Sequence, residues 1–370
     1  MVRVSLSIVC VSMVVHLAAC CLPPANSAYQ QRPIIEQRSE KQAIKKSTRS
    51  QKKKKSKSHQ QAALSKKKWA DEPRGKSAEQ KSSNNKPPLT LLRQIDNLPH
   101  PQSILYDKKR LRFYVSRLGE QAENSKGSIA LLSRDGSIIN SEWISGLDQP
   151  RGMAMVDQYL YVADGKSLLK IDVETAKVSK RYERPSAFYL YDVSATNKGD
   201  VFVTAPLSNT ILLLAKDEEL KVWLQDKSLE GPNSVIADKG KLYISSIGLN
   251  GANSNQESGK IYKIDQSTKV IEPFTKEKSL KKIASLALDE EGSVYAATVG
   301  APNLLRLSAR DGELLENINV QEIFNLKDEQ GLADFLYFPQ SKEFWVPVKN
   351  NGHILVFVRS DATLLTEEQN

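Results

Sequence analysis

Short apolar runs alternate with polar turns between residues 89 and 358. The runs are rich in Val, Ile, Leu and Tyr and come in pairs, such as residues 159–163 with 167–171 and residues 241–245 with 260–264. Asp-Gly, Lys-Gly, Glu-Gly and Asn-Gly steps separate many of the runs, as is typical of antiparallel hairpins. Helical spacing of 3.6 residues is missing from them, so the pattern predicts an all-β fold.

Six similar units of about 40–50 residues follow one another, the period of four-stranded propeller blades. Each opens on a turn and a short apolar run, and the units begin at Pro101, Pro150, Tyr191, Pro232, Ala284 and Ala333. The sequence therefore predicts a six-bladed β-propeller of four-stranded antiparallel blades over residues 89–358, followed by a C-terminal tail at 359–370. The sixth unit lacks room for a fourth strand, and a strand within residues 89–98 is expected to close the ring by covering that open edge.

The first 19 residues have the order of a secretory signal, with Arg3 ahead of a short apolar core. Leu-Ala-Ala-Cys at residues 17–20 resembles the lipobox of bacterial lipoproteins, in which the Cys is lipidated and becomes the mature N-terminus. Cys20 is then the lipidation site, and the protein is expected in the bacterial cell envelope, on a membrane or in the periplasm. An ordinary signal peptide cut near residues 26–28 is the alternative, and it too predicts export.

Residues 20–88 form a Lys-rich linker without a periodic apolar pattern, which predicts a disordered segment. Residues 29–88 hold 18 basic and 5 acidic side chains, although the formal net charge of the whole chain is only +10. The remainder is therefore net acidic, and the charge does not indicate a nucleic-acid-binding domain. The segment is either an electrostatic tether to an anionic membrane or envelope surface or only a spacer.

The three Cys residues all lie within the first 21 positions, and the predicted propeller contains only two His, His100 and His353. This excludes disulfides, thiolate metal sites and Cys nucleophiles from the propeller. It also disfavours a multi-His zinc site and a Ser-His-Asp triad.

Five segments in blade order carry a family resemblance: residues 100–107, 150–154, 191–193, 231–235 and 333–335. With them, the chain resembles the gluconolactonase, regucalcin and luciferin-regenerating-enzyme superfamily of six-bladed propellers, and most closely its exported bacterial branch. The resemblance implies one divalent cation at the top of the central channel, held by a Glu, two Asn-type ligands and an Asp. A lactonase would use that ion as a Lewis acid.

Motif by motif, the implied Glu ligand falls on Gln102, the first Asn on Tyr191, the second on Asn233 and the Asp near Ser285. Only Asn233 is retained, and both formal negative charges are lost. Calcium and zinc sites need carboxylate charge to offset the dehydration of the ion, so no cofactor is expected. Asn233 itself is either a residual metal ligand or a turn residue that satisfies backbone groups after Pro232.

Arg151 and Asp334 complete the predicted ligand-binding channel face, together with Gln102, Tyr191, Asn233 and Ser285. Arg151 can clamp a carboxylate or phosphate, or pair with an acid of a neighbouring blade. Asp192, Arg151 and Asp334 are weak catalytic candidates, and strand alternation predicts that Asp192 points away from the channel.

The leading hypothesis from the sequence is a monomeric pseudo-enzyme, a non-catalytic propeller that binds a small molecule or a protein on its channel face. The alternative is a lactonase or esterase with calcium or zinc in a site rebuilt around Asn233 and Asp192.

Overall fold

The structure is a computed structural model that describes residues 87–119, 126–184, 189–215, 219–248, 259–275, 280–299, 302–326, 331–349 and 352–360. The predicted signal peptide, Cys20, the linker through residue 86 and the tail from residue 361 lie outside these ranges, and so remain predictions. No helix within the described ranges is long and apolar enough to cross a membrane.

Six four-stranded antiparallel sheets form the propeller, as predicted, with one short helix in the described ranges. The strands are β1 (Leu89–Ile95), β2 (Pro101–Asp107), β3 (Arg112–Arg117), β4 (Gly127–Ser133), β5 (Ile138–Leu147), β6 (Pro150–Val156), β7 (Tyr159–Asp164), β8 (Ser167–Asp172), β9 (Lys177–Glu183), β10 (Val193–Ala195), β11 (Val201–Ala205), β12 (Thr210–Leu214), β13 (Leu220–Gln225), β14 (Pro232–Asp238), β15 (Lys241–Ser246), β16 (Lys260–Asp265), β17 (Ile271–Pro273), β18 (Ile283–Leu288), β19 (Val294–Thr298), β20 (Asn303–Leu307), β21 (Leu314–Asn319), β22 (Leu336–Phe338), β23 (Glu343–Val348) and β24 (His353–Arg359). Two single 3-10 turns, Pro206–Ser208 and Lys227–Leu229, and the helix α1 (Val320–Ile323) connect strands.

Each of the first five blades is a run of four consecutive strands, beginning with β2, β6, β10, β14 and β18. The sixth blade has the order β1-β24-β23-β22, so the N-terminal strand supplies its outer edge. Pairing runs from Leu89 opposite Arg359 to Ile95 opposite Ile354. This confirms the predicted closure of the ring.

Local turn chemistry accounts for the hairpins within the blades. Between β14 and β15, Lys239 and Gly240 both have positive φ, +43° and +77°. Two positive φ values in a two-residue loop are those of a type I′ turn, whose twist matches the twist of paired strands. Glycine takes the second position without steric cost.

The core lies between blades, where apolar side chains from facing sheets meet. Phe113 of blade one stacks on Trp345 of blade six, with ring centroids 4.2 Å apart. Tyr295 of blade five meets Phe344 of blade six edge-on at 5.0 Å. The first strand of each blade contacts the first strand of the next around the ring, so the six strand starts converge on one end of the central channel.

Candidate functional site

Equivalent residues of the six blades meet where the first strands begin, a place we call the channel mouth. Two adjacent positions recur. The first is occupied by Gln102, Arg151, Tyr191, Asn233, Ala284 and Ala333, and the second by Ser103, Gly152, Asp192, Ser234, Ser285 and Asp334. In blades one, two, four and five, the pairing of the first two strands shifts register here. Such bulges bend a strand and redirect its side chains, which places polar groups at the mouth.

A small cavity lies at the channel mouth. The space open to the centre of a water molecule is about 10 Å³, room for roughly one water. Its lining consists of Gln102, Arg151, Gly152, Tyr191, Asp192, Ala284, Ala333, Asp334 and Lys349. An entire organic ligand cannot enter it, so a ligand would have to place one small group inside and keep the rest outside.

Asp334 accepts hydrogen bonds from serines of both neighbouring blades. The Ser103 hydroxyl donates to one carboxylate oxygen at 2.7 Å, and the Ser285 hydroxyl donates to the other at 2.5 Å. The backbone amide of Asp334 also donates to the carbonyl oxygen of Gln102 at 2.9 Å. Asp334 therefore joins blades five, six and one.

Asp192 joins blades three and four through hydrogen bonds to its carboxylate. One carboxylate oxygen accepts from the Ser234 hydroxyl and from the backbone amide of Val235, each at 2.8 Å. The other accepts from the amide of Val193 at 2.8 Å. Asp192 is buried and lines the cavity, whereas strand alternation predicted that it would point away from the channel. The irregular backbone ahead of β10 explains the difference, because alternation holds only within a regular strand.

Both carboxyl groups of this pair have raised pKa values. Burial raises the pKa of Asp192, and the nearby charge of Asp334 adds to the effect. Burial likewise raises the pKa of Asp334, while its bonds to Ser285 and Ser103 and the charge of Lys349 oppose the rise. Two carboxylates that share a poorly solvated cavity disfavour double ionisation, so the pair tends to retain a proton.

Arg151 packs near the rings of two tyrosines at the mouth. Its guanidinium carbon is 4.8 Å from the ring centroid of Tyr191 and 5.4 Å from that of Tyr189. Its terminal nitrogens donate to the side-chain oxygen of Gln102 at 3.3 Å, to that of Gln149 at 3.5 Å and to the Tyr189 hydroxyl at 3.4 Å. Within the described ranges no acid forms an ion pair with Arg151, contrary to the expected partner in a neighbouring blade.

Asn233 and Ser285 have positions that favour structural roles. The Asn233 amide nitrogen donates to the carbonyl oxygens of Ala284 at 2.7 Å and Ile283 at 3.3 Å, both in the next blade. Ser285 is fully buried, and in blade five it is Ala284, not Ser285, that lines the cavity. Of the six predicted channel-face residues, the other four line the cavity: Gln102, Arg151, Tyr191 and Asp334.

These groups do not fit the divalent cation that the resemblance implies. The carboxylate oxygens of Asp192 and Asp334 already accept hydrogen bonds from hydroxyl and amide donors, and Arg151 brings a positive charge into the same cavity. A hard cation needs several unprotonated oxygens with net negative charge. Within the described part of the chain, no three His, Cys, Asp or Glu side chains cluster in a way that could hold a metal.

Sequence reasoning missed Ser103, Ser234, Gly152, Tyr189 and Lys349. A signal for the first three was present, because they occupy the same position in their blades as Asp192 and Asp334. Gly152 has a clear reason to be small, since a Cβ there would lie 2.2 Å from a carboxylate oxygen of Asp192. Tyr189 and Lys349 gave no such signal, because they reach the mouth from outside the repeated position.

Neither a protein-family model nor a curated protein matches the chain. Solved structures do. A putative gluconolactonase is 14% identical with a TM-score of 0.53, covering 75% of this chain and 94% of its own. A luciferin-regenerating enzyme is 12% identical with a TM-score of 0.52, covering 76% and 98%. A catalytically inactive virginiamycin B lyase from Staphylococcus aureus, solved with quinupristin, is 13% identical with a TM-score of 0.52, covering 73% and 99%.

The predicted resemblance is confirmed for the fold. At these identities the likeness extends no further than the six-bladed architecture, and the chemistry of the mouth depends on its own residues.

Proposed function

We propose that this protein is a binding propeller, whose channel mouth recognises a ligand or partner without hydrolysing it. One observation carries the proposal: internal hydroxyl and amide donors occupy the carboxylates of Asp192 and Asp334. A carboxylate that bridges blades in this way stabilises the ring and has few lone pairs left for a metal or a reacting group.

The alternative, a metal-dependent hydrolase of lactones or esters, draws on one observation, the presence of Asp192 in the cavity lining. For that role Asp192 would have to exchange its bonds from Ser234 and Val235 for a bond to a cation. Asn233 would also have to turn its amide oxygen toward the cavity, although its nitrogen is held by Ala284.

Calorimetric titration of the purified full-length chain with calcium and with zinc separates the two functions. We expect neither stoichiometric binding nor metal-stimulated hydrolysis of a small lactone or an aryl ester. Stoichiometric binding that is lost in Asn233→Ala, together with metal-stimulated hydrolysis, would establish the hydrolase instead. The matched control is Asn317→Ala, since Asn317 lies on an outer strand away from the mouth.

The placement of the protein in the cell is part of the same proposal. The leader and residues 17–20 support export and a lipid anchor on Cys20, and the Lys-rich linker supports contact with an anionic surface. Cys20→Ser should release the protein from membranes into the soluble fraction.

Deletion of residues 29–88 should abolish salt-sensitive binding of the soluble form to anionic vesicles, and unchanged binding would show that the linker is only a spacer.

A further inference from the structure

Two cationic side chains face the same cavity as the carboxyl groups of Asp192 and Asp334. Arg151 and Lys349 both line it, and neither forms an ion pair there. The charge of Lys349 acts on Asp334, where it opposes the rise in pKa that burial causes. Both residues are partly buried, and a cation that loses solvent needs a compensating partner.

The guanidinium of Arg151 is held in place, but its capacity to donate hydrogen bonds is poorly satisfied. The rings of Tyr191 and Tyr189 both pack near it. Its hydrogen bonds, at 3.3 to 3.5 Å, are long and go to neutral oxygens. Its Nε is buried and has no acceptor. Charged donors normally form shorter bonds to anionic oxygens, so this arrangement fits an arginine prepared for an anion.

The charge balance at the mouth favours an anion with a single negative charge. Arg151 and Lys349 contribute two positive charges. Asp192 and Asp334 contribute about one negative charge while they retain a proton between them. One further negative charge gives neutrality, whereas a dianion would face uncompensated repulsion from the carboxylate pair.

We propose that the channel mouth binds the carboxylate of a small monocarboxylic acid between Arg151 and Lys349. A carboxylate is planar and matches the fork of a guanidinium with two parallel hydrogen bonds. The cavity has room for roughly one water, so one carboxylate oxygen enters it and the remainder of the acid lies outside, against Tyr191 and Tyr189. This inference rests on the proposed binding function and assigns the chemical class of its ligand.

The test measures the melting temperature of the full chain in acetate, in benzoate and in inorganic phosphate, with ionic strength held constant by chloride. We expect saturable stabilisation by the two carboxylates, stronger for benzoate because its ring can contact the tyrosines, and less by phosphate. Arg151→Gln and Lys349→Gln should each weaken carboxylate binding by roughly tenfold or more, as expected when a charged hydrogen bond is lost.

Arg112→Gln is the matched control. It removes another arginine that lies over a tyrosine, Tyr114, at the opposite end of blade one. Its affinity for benzoate should equal that of the unaltered chain. Arg151→Lys, which keeps the charge but loses the fork, should bind benzoate more weakly than the unaltered chain and more tightly than Arg151→Gln.

Three results would overturn the carboxylate site: no saturable effect of either carboxylate, equal affinity in Arg151→Gln, or tighter binding of phosphate. None of them bears on hydrolysis, because the proposed function fails only if the metal titration and the hydrolysis assay succeed. The two conclusions can therefore fail separately.

Discussion

Single residues at the mouth stabilise the ring through contacts between blades. Asp192 accepts hydrogen bonds from Ser234 and Val235 of blade four. Asp334 accepts hydrogen bonds from Ser103 of blade one and Ser285 of blade five. Removing one partner of such a bond leaves a poorly solvated polar group without compensation, which costs more than the bond itself contributes.

The raised pKa of Asp192, about 8, makes stability depend on pH. An unfolded Asp titrates near 4, so between about 4 and 8 the folded state binds the proton more tightly. The stabilisation by this proton is complete below that range and is lost as pH rises through about 8. Asp192→Asn should therefore flatten the decline in unfolding free energy with pH, by up to about 1.4 kcal/mol per pH unit, in denaturant titrations.

Asp226→Asn is the control for the pH experiment. Asp226 is exposed and accepts a hydrogen bond from the amide of Ser228, which lowers its pKa. The stability that ionised Asp226 contributes is present above the pKa of an unfolded Asp and is lost as pH falls below it. Asp226→Asn should therefore leave the decline in unfolding free energy between about pH 4 and 8 unchanged. An unchanged slope in Asp192→Asn would show that the carboxyl does not hold a proton in the folded state.

Gly152 tests the packing around the same carboxyl. A Cβ at this position would lie 2.6 Å from the Cα of Asp192 and 2.8 Å from the amide nitrogen of Val193. Gly152→Ala should lower the unfolding free energy by about 1–3 kcal/mol, as overpacking does. Gly331→Ala is the matched control, since a Cβ there meets nothing within 4 Å, and equal effects of the two variants would contradict the close approach.

At the scale of strands and blades, most of the fold could be predicted from the sequence. Paired apolar runs, turn residues and a constant period determine the blade count, and the leftover run at residues 89–95 indicated the closing strand. The side-chain contacts between blades could not be predicted, because position in a repeat does not reveal which way a side chain turns at a strand start. Tyr191 and Asp192 show this. Side chains alternate in a regular strand, so only one of the two would face the channel, yet both line the cavity.

The closing strand β1 yields a prediction at this scale. Leu89 is 1% exposed and Ile95 9% exposed, so both bury their side chains when β1 pairs with β24. A chain that begins at residue 96 should lose on the order of 3 kcal/mol of stability relative to one that begins at residue 87. It should also self-associate through the open edge of β24, as measured by ultracentrifugation.

Addition of a peptide of residues 87–95 in trans should restore the stability of the shortened chain and suppress its association. A peptide of the same composition in scrambled order should do neither. Equal stability and a monomeric state for both chains would show that β1 is dispensable for ring closure.

At the scale of the whole molecule, convergence of the blades brings residues from distant parts of the chain to one axis. Gln102, Tyr191 and Ala284 come from blades one, three and five and line one cavity of about 10 Å³. The chemistry of the mouth is therefore set by a few positions far apart in sequence. Exchanging those side chains should change what the ring binds without changing the ring.

Grafting oxygen ligands onto these positions tests that view. Gln102→Glu, Tyr191→Asn and Ala284→Asp together add two carboxylates at residues that line the cavity. We expect the triple variant to gain calcium affinity in calorimetry, because negative charge offsets the dehydration of the ion. A set with Ser285→Asp in place of Ala284→Asp should gain less and lose stability, since Ser285 is fully buried and donates to Asp334. The reverse ranking would mean that Ser285, not Ala284, is the blade-five residue that faces the channel, and the contact between Ser285 and Asp334 would then be wrong.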